Sequence, residues 1–261
     1  MIKAKKSLGQ NFLIDNNILK KIVNIADING KSILEVGPGT GNLTSYILMK
    51  KPKKVIVIEK DKDLAKILKE KFRDEVTIIN NDILKIDETS LTNEKLTVFG
   101  NLPYNISTEI LNKWIVNLND TFWFNYLILM FQKEVADRII AKFNTSTYGR
   151  LSILANWRLK IEKICDVKPV SFFPKPKIDS TLLLFSPKNK SFKIKDPKNL
   201  EKVTRIFFNH RRKMLKKPFN ELFNGDQKIL KKLKIDLKLR PQNLDFETYY
   251  KITTEFENLG G

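Results

Sequence analysis

Apolar residues in the first 185 positions follow two spacings, short continuous runs and longer stretches at helical intervals. The continuous runs predict buried strands at 33–36, 55–58, 76–79, 96–99 and 126–131. Helical spacing predicts helices that begin after Asp15 and Asp61, two expected N-caps, and others at 42–50, 108–118 and 134–143. Strands that alternate with helices predict a doubly wound α/β sheet.

The pattern changes after a last predicted strand at 181–185. Residues 186–190 read Ser-Pro-Lys-Asn-Lys, which is typical of a linker. Beyond them apolar residues recur at helical intervals, and residues 186–261 carry 19 Lys and Arg against nine Asp and Glu, a net charge of +10. We therefore predict two domains, 1–187 with the sheet and 188–261 as a small, basic helical domain.

Charge adds a candidate partner to this picture. The chain has 48 Lys and Arg against 29 Asp and Glu, a formal net charge of +19, and 40 of the basic residues are Lys. Lysine is a point charge suited to phosphate, whereas arginine forms the fork that reads base edges. The composition therefore indicates a nucleic acid held through its backbone phosphates.

Composition also excludes several kinds of site. The one cysteine, Cys165, permits no internal disulfide, and with one histidine, His210, it leaves no conventional Cys/His zinc site and no Ser-His-Asp triad, so we expect no metal. The longest apolar run, 126–131, is six residues, short of the roughly 20 that a membrane span needs. With no signal peptide apparent, we expect no membrane partner and a cytoplasmic protein, the alternative being an organelle of bacterial origin if a precursor was trimmed.

Three strand ends carry residues suited to a nucleoside. Gly37, Gly39 and Gly41 form a turn between a strand and a helix, where backbone can approach a ligand closely. Glu59 ends the next strand, where an acid in a Rossmann-type sheet accepts ribose hydroxyls, although a solvated acid is the alternative. Asp82 ends the third strand and is placed to accept an adenine amine, or to cap a helix.

The fourth strand is followed by Asn101-Leu102-Pro103-Tyr104, which resembles the class motif of S-adenosyl-methionine-dependent amino methyltransferases. The resemblance implies an adenine amine as the methyl acceptor, and the residue types fit that chemistry independently. The lone pair of an exocyclic adenine amine is delocalised into the ring, so the amine needs orientation more than a strong base. The Asn101 side-chain carbonyl and the Leu102 backbone carbonyl, held outward by Pro103, would accept its hydrogens, while Tyr104 stacks on the flipped base. This chemistry requires no histidine.

The same motif resembles that of the S-adenosyl-methionine-dependent rRNA adenine N6,N6-dimethyltransferases, in particular the bacterial small-subunit branch. Segments similar to that family follow in order from residue 5 to 185 and continue less sharply to 213; they lie at 7–13, 35–41, 98–108, 129–138, 148–152, 172–180 and 207–213. The resemblance implies a Rossmann-like methyltransferase sheet with a C-terminal helical domain. It also implies S-adenosyl-L-methionine as cofactor.

Site residues follow from the motifs and the resemblance together. The predicted catalytic residues are Asn101, Leu102, Pro103, Tyr104 and Phe172. The predicted cofactor site comprises Gln10, Asn11, Leu13, Gly37, Gly39, Gly41, Glu59, Lys60, Asp82, Ile83 and Asn101. The predicted RNA contacts are Lys175, Lys177, Arg211, Arg212 and Lys213. The resemblance implies that Phe172 stacks on the target base, but Phe173 departs from the family pattern, so which ring faces the pocket stays open.

The leading hypothesis is a monomeric enzyme that transfers two methyl groups to N6 of each target adenine. We expect two adjacent adenines near the 3′ end of small-subunit rRNA, within an immature ribosomal subunit, as the substrate. One alternative is a large-subunit rRNA adenine methyltransferase of the antibiotic-resistance type. Another is a non-catalytic rRNA-binding assembly factor, against which the intact Gly37, Glu59, Asp82 and 101–104 motif argue.

Overall fold

The computed structural model describes residues 4–5, 8–118 and 121–260. Within these ranges the strands are β1 (Phe12–Leu13), β2 (Ser32–Val36), β3 (Lys54–Ile58), β4 (Thr77–Ile79), β5 (Leu96–Asn101), β6 (Phe124–Gln132), β7 (Leu159–Val167), β8 (Phe172–Phe173) and β9 (Ser180–Pro187). The helices are α1 (Asn16–Val23), α2 (Asn42–Leu48), α3 (Lys62–Phe72), α4 (Ser107–Val116), α5 (Lys133–Ile139), α6 (Arg150–Arg158), α7 (Pro197–Asn209), α8 (Lys216–Phe223), α9 (Gln227–Leu233) and α10 (Phe246–Asn258).

A seven-stranded sheet with the order β4-β3-β2-β5-β6-β9-β7 forms the centre of the first part of the chain. The strands from β4 to β6 pair in parallel, and β9 runs antiparallel to β6. Every residue of β2 is buried, as expected of a central strand covered on both faces. The predicted α/β sheet is confirmed, and the carboxyl ends of β2, β3 and β5 meet at one edge.

Both predicted N-caps are confirmed. The Asp15 carboxylate accepts hydrogen bonds from the backbone N–H groups of Asn17 and Ile18, and that of Asp61 accepts one from Asp63. These bonds satisfy N–H groups that have no partner within the helix. Each cap therefore fixes the residue at which its helix begins.

Helix α6 and strand β7 are among the elements that were not predicted from the sequence. α6 is buried along most of its length, so its sequence lacks the alternation of apolar and polar faces by which an amphipathic helix is recognised. β7 mixes buried, half-buried and exposed residues because it is the edge strand of the sheet. A continuous apolar run, the signal that identified the inner strands, is therefore missing from it.

The chain forms two compact units whose division differs from the predicted one at 187/188. The first comprises Met1–Lys113, Leu118–Ala136 and Ile161–Pro187; the second comprises Trp114–Asn117, Asp137–Lys160 and Lys188–Gly261. The stretch 137–160 belongs to the second unit because α6 packs against α7 and α10. In the part of the chain that the structure describes, no helix has the length and apolar character needed to cross a membrane.

Candidate active site

A recess of about 1130 Å³ lies in the first unit, at the edge where β2, β3 and β5 end. It brings together most of the residues predicted for the cofactor and catalytic sites, namely Gln10, Asn11, Leu13, Gly37, Gly39, Glu59, Lys60, Asp82, Ile83, Asn101, Leu102, Pro103 and Tyr104. Gly41 and Phe172 do not line it. A concave site at the carboxyl ends of parallel strands is where ligands bind in open α/β sheets.

At two positions in the turn after β2, neighbouring aromatic side chains leave no room for a residue larger than glycine. A Cβ on Gly39 would lie 2.7 Å from Cδ1 of Phe12, and one on Gly41 would lie 2.5 Å from Cε2 of Phe72. Both residues also have positive φ angles, +58° and +76°. Gly41 therefore packs the turn against α3, while Gly39 lets the Phe12 ring close over the turn.

Glu59 is 7% exposed and is anchored to the backbone at both carboxylate oxygens. Oε2 accepts a hydrogen bond from the Gly39 N–H at 3.2 Å, and Oε1 accepts one from the Asp61 N–H at 2.8 Å. Burial raises the pKa of this carboxyl above its usual value, while the backbone N–H groups oppose that rise. Because each carboxylate oxygen has two lone pairs, Glu59 retains acceptor capacity towards the recess.

Asp82 and Lys60 form an ion pair at the neighbouring wall, with Nζ 2.7 Å from Oδ2. The hydrogen bond from Lys60 lowers the pKa of Asp82, which keeps the carboxylate ionised. Its Oδ1 also accepts a hydrogen bond from the Leu84 N–H and caps a short 3₁₀ turn. Asp82 thus has the capping role that was the alternative, and it lines the recess as well.

Residues 8–13, the N-terminal wall, close one side of the recess. Gln10 donates a hydrogen bond to Asp61 at 2.9 Å, and the ammonium of Lys5 pairs with the same carboxylate at 2.7 Å. Burial disfavours the charged form of Asp61, but the hydrogen bonds from Lys5 and Gln10 outweigh it and hold its pKa below the usual range. Gln10 therefore anchors this wall; Ser7, which begins the corresponding motif, lies outside the described residues.

Asn101 has a fixed orientation at the end of β5. Its Nδ2 donates a hydrogen bond to the backbone carbonyl of Asn11 at 2.8 Å. Since a carbonyl can only accept, this bond determines which end of the amide faces Asn11 and leaves Oδ1 as the free acceptor. No hydrogen bond between described residues occupies Oδ1 or the Leu102 carbonyl oxygen.

The side chain of Tyr104 forms a hydrogen bond with a buried serine. Its hydroxyl lies 2.6 Å from Oγ of Ser180, which is fully buried at the start of β9. Burial raises the pKa of Tyr104 above its usual value. The ring is therefore neutral and fixed at one end, as a stacking platform requires.

The two phenylalanines of β8 differ sharply in exposure. Phe172 is 1% exposed and belongs to the hydrophobic core, whereas Phe173 is 61% exposed. In the register of β1 and β8, Phe173 lies opposite Phe12 and Phe172 lies opposite Leu13. In this structure Phe172 presents no ring face to a base, so its stacking role stays a prediction that requires the ring to move.

The predicted RNA contacts fall into two groups. Lys175, Lys177, Arg212 and Lys213 are exposed, as a phosphate contact requires. Arg211 is half-buried, and its guanidinium donates hydrogen bonds to the carbonyl oxygens of Ser146 and Tyr148 within the second unit. Arg211 therefore shapes the backbone of a loop, a role that its sequence context does not indicate.

Sequence reasoning missed Glu35 as a site residue, although the signal was present. An acid inside the apolar strand β2 is unusual, and Glu35 is 2% exposed, with Oε2 accepting a hydrogen bond from Thr44 at 2.6 Å. Burial raises its pKa to about 7. Phe12, Asn81 and Asn105 also line the recess without having been predicted.

Comparisons with known proteins relate nearly the whole chain to one family of rRNA-modifying enzymes. A family model described as "Ribosomal RNA adenine dimethylase" matches residues 1–258. The chain is 65% identical over 260 residues to "Ribosomal RNA small subunit methyltransferase A" of Pelagibacter ubique (strain HTCC1062), covering 100% of this chain and 99% of that protein. A protein of the same name from Ehrlichia ruminantium (strain Gardel) is 42% identical, with 97% of each chain covered.

Solved structures show the same fold. A dimethyladenosine transferase from Plasmodium falciparum superposes with a TM-score of 0.81 at 29% identity, covering 95% of this chain and 98% of that one. The 23S rRNA methyltransferase ErmE gives a TM-score of 0.69 at 20% identity, covering 95% and 100%. At that identity the second likeness concerns the fold alone.

Proposed function

The chain belongs to the ribosomal RNA adenine dimethylase family, and on that premise we propose that it dimethylates adenines of small-subunit rRNA. It is an rRNA adenine dimethyltransferase that uses S-adenosyl-L-methionine. The finer proposal is that a monomer acts in the cytoplasm on an immature small subunit and modifies two adjacent adenines near the 3′ end. The observation that carries the chemistry is the fixed Asn101 amide, whose free Oδ1 stands at the edge of the recess.

The residues of the recess fit the cofactor. Both oxygens of Glu59 hold backbone N–H groups and still have lone pairs for two ribose hydroxyls. Asp82 is ionised and can accept an adenine amine, and the buried Phe12 and Ile83 supply apolar walls. Glu35 adds a further acid to the lining of the recess. S-adenosyl-L-methionine, when bound, supplies a methyl group on positively charged sulfur.

The protein's own part in the reaction is to orient the attacking amine. Asn101 Oδ1 and the Leu102 carbonyl accept the two N6 hydrogens, which turns the nitrogen lone pair out of conjugation and towards the methyl group. Tyr104 holds the base by stacking, with its hydroxyl on Ser180. The methylated nitrogen is acidic enough to lose its proton to water, so no histidine or cysteine is needed.

The small-subunit substrate is favoured over the large-subunit alternative by the pattern of similarity. Relatives named for the small subunit match over the full length at 65% and 42% identity. The 23S rRNA methyltransferase shares only 20% identity. A non-catalytic assembly factor is disfavoured because the oriented Asn101 and the anchored Glu59 are both present.

The direct test offers the methyl donor to small and large ribosomal subunits that lack adenine methylation. We expect N6,N6-dimethyladenosine in small-subunit rRNA, at two neighbouring positions when modified nucleotides are mapped by mass spectrometry. Methylation confined to large-subunit rRNA, or no methylation at all, would contradict the proposal. Immature and mature small subunits compared side by side test whether assembly intermediates are preferred.

A pair of variants separates orientation from cofactor binding. Asn101→Ala should lower kcat by about 100-fold or more with little change in rRNA affinity, because it removes an acceptor that orients the amine. Glu59→Gln should weaken cofactor binding by roughly tenfold, because hydrogen bonds to a charged group contribute about 1.5–3 kcal/mol and those to a neutral amide only about 0.5–1.5 kcal/mol. Calorimetry with the cofactor and single-turnover methylation distinguish the two. Normal turnover in Asn101→Ala would show that the orienting role is wrong.

A further inference from the structure

Lys113 lies on α4, does not line the recess, and binds one neighbouring segment of the first unit. Its Nζ donates hydrogen bonds to the backbone carbonyls of Ile83, at 2.9 Å, and Ile86, and it forms an ion pair with Glu88 at 2.6 Å. The side chains of Lys113 and Glu88 are 17% and 7% exposed. An ammonium has three N–H donors, so these three acceptors satisfy all of them. The effect of Lys113 is therefore exerted through the segment that it holds.

The segment that Lys113 holds begins at one wall of the recess. Asp82 and Ile83 line the recess, and Asp82 Oδ1 accepts a hydrogen bond from the Leu84 N–H at 3.0 Å, which caps the start of the 3₁₀ turn. Lys113 binds the carbonyls of Ile83 and Ile86, at the end of the same turn. Asp82 and Lys113 therefore cap one turn from its two ends.

Helix α4 gives the Lys113 ammonium a fixed position. The side chains of Ile110 and Leu111, in the turn before Lys113, are fully buried, so the helix is held by the core. The helix begins at Ser107, directly behind the motif at 101–104. One packed helix thus extends from the motif that orients the target amine to the turn after β4, and the ammonium joins the two.

The position of the Asp82 carboxylate affects which base the recess accepts. Adenine carries an exocyclic amine that donates hydrogen bonds, whereas hypoxanthine carries an oxygen that accepts them at the same position. An ionised carboxylate can only accept, so it favours adenine and opposes hypoxanthine. Hydrogen bonds weaken steeply when donor and acceptor move out of line. The preference for adenine therefore depends on how firmly the turn after β4 is held.

We propose that Lys113 is a positioning residue that makes the recess selective for the adenine of the cofactor. It acts by holding the carbonyls of the turn, and thereby the Asp82 carboxylate, without lining the recess itself. Glu88 supplies the negative charge that offsets the burial of the ammonium. The inference rests on the contact between Asp82 and the adenine amine that is part of the proposed function.

Selectivity is measured by calorimetry with two ligands that differ only in the base, S-adenosyl-L-homocysteine and S-inosyl-L-homocysteine, in which hypoxanthine replaces adenine. The unaltered chain should prefer the adenosyl ligand by about tenfold or more, the equivalent of a hydrogen bond to a charged group. Asp82→Asn, whose amide can also donate, should lose this preference. An Asp82→Asn variant that keeps the preference would contradict the proposed Asp82 contact and the inference with it. An unaltered chain that binds neither ligand would contradict the proposed function itself.

The test variant is the double substitution Lys113→Met/Glu88→Gln, compared with Glu88→Gln alone. Removing the ammonium by itself would leave Glu88 buried without its cation, which is strongly destabilising. Glu88→Gln keeps the bonds from Lys113 to both carbonyls and should keep the preference for the adenosyl ligand. The double variant should bind the adenosyl ligand about 5- to 10-fold more weakly and the inosyl ligand with little change, so the preference should fall to about twofold or less.

Lys188→Met is the matched control, because Lys188 is also half-buried and donates a hydrogen bond to a backbone carbonyl, that of Asn156, within the second unit. It should leave both affinities unchanged. If the double variant loses affinity for both ligands by the same factor, Lys113 has a general structural role; if it keeps the preference, the turn holds its place without Lys113. Either result overturns the inference while leaving the Asp82 contact intact. Loss of the preference in both Asp82→Asn and the double variant supports it.

Discussion

Glu35 is an ionisable group held in the core of the sheet beside the candidate active site. It is 2% exposed, accepts a hydrogen bond from Thr44, and has a pKa that burial raises to about 7. The nearby charge of Glu59 raises the pKa further, and that of Lys71 lowers it. At neutral pH the folded protein thus contains a mixture of neutral and ionised Glu35.

We expect this residue to make stability depend on pH. The pKa of Glu35 is about 7 when folded and 4.5 as a free side chain, so between these values the folded state binds the extra proton. The stabilisation is therefore fully present below pH 4.5 and is lost as pH rises to 7, by up to about 3 kcal/mol. Urea unfolding of the unaltered chain and of Glu35→Gln across this range isolates the effect, since other groups titrate in both. Parallel profiles would contradict it.

The hydrogen bond between Tyr104 and Ser180 gives a second prediction at the residue scale. Ser180 is fully buried and does not itself line the recess, so we expect it to position the Tyr104 ring. Ser180→Ala should lower kcat/KM for rRNA by about 5- to 10-fold, the equivalent of one hydrogen bond, and leave cofactor affinity unchanged.

Tyr104→Phe serves as the matched partner of that variant because it removes the other half of the same bond. If the bond is what matters, the double variant should be no worse than either single one, apart from the cost of any unsatisfied hydroxyl. Additive losses would instead show that the two residues act independently. Ser180→Thr, which keeps the hydroxyl, should recover part of the activity.

At the scale of elements, the turn from β2 into α2 depends on close packing against α3. Gly41→Ala would place a methyl group 2.5 Å from Phe72 at a φ of +76°. Gly30→Ala has a similar φ of +65° but nothing within 4 Å. The control should cost about 1–2 kcal/mol for its backbone conformation, and Gly41→Ala about 1–3 kcal/mol more. Equal losses in chemical denaturation would show that the contact with Phe72 relaxes freely.

The elements also show which parts of the fold a sequence pattern can predict. Inner strands and capped helices were predicted because a buried strand needs an apolar run and a helix start needs a capping acid. α6 and β7 were not, since one is apolar on most sides and the other is an exposed edge. Phe172 illustrates the same limit within the site. Which of two adjacent rings is buried depends on the pairing of β8 with β1, residues far apart in sequence.

At the scale of the whole molecule, the charge of +19 predicts binding governed by salt. Each phosphate that a cation neutralises releases condensed counterions, so affinity for rRNA should fall linearly in log K against log salt. If six to ten phosphates are contacted, the loss between 50 and 200 mM salt is about 10³- to 10⁵-fold. Filter-binding titrations at several salt concentrations measure the slope. A flat dependence would show that the lysines do not hold the RNA.

Domain organisation was the least predictable property at this scale. The sequence boundary at 187/188 marks a change in charge, but the structure assigns 137–160 to the second unit as well. Composition reports where a segment's charge changes, whereas a compact unit is defined by packing. The packing of α6 on α7 and α10 joins segments about 40 positions or more apart, and no local pattern records it.

The two-residue pairing of β1 with β8 ties the cofactor side of the site to the segment that carries Phe172 and Phe173. Phe12 and Leu13 line the recess from one strand of this pair. If the cofactor stabilises that pair and rRNA contacts β8, the cofactor tightens rRNA binding, and thermodynamic reciprocity requires rRNA to tighten cofactor binding by the same factor. Dimethylation needs a fresh cofactor for its second methyl group. On these two conditions, the β1–β8 pairing also retains the spent cofactor while rRNA is bound, which favours release of the RNA between the two transfers.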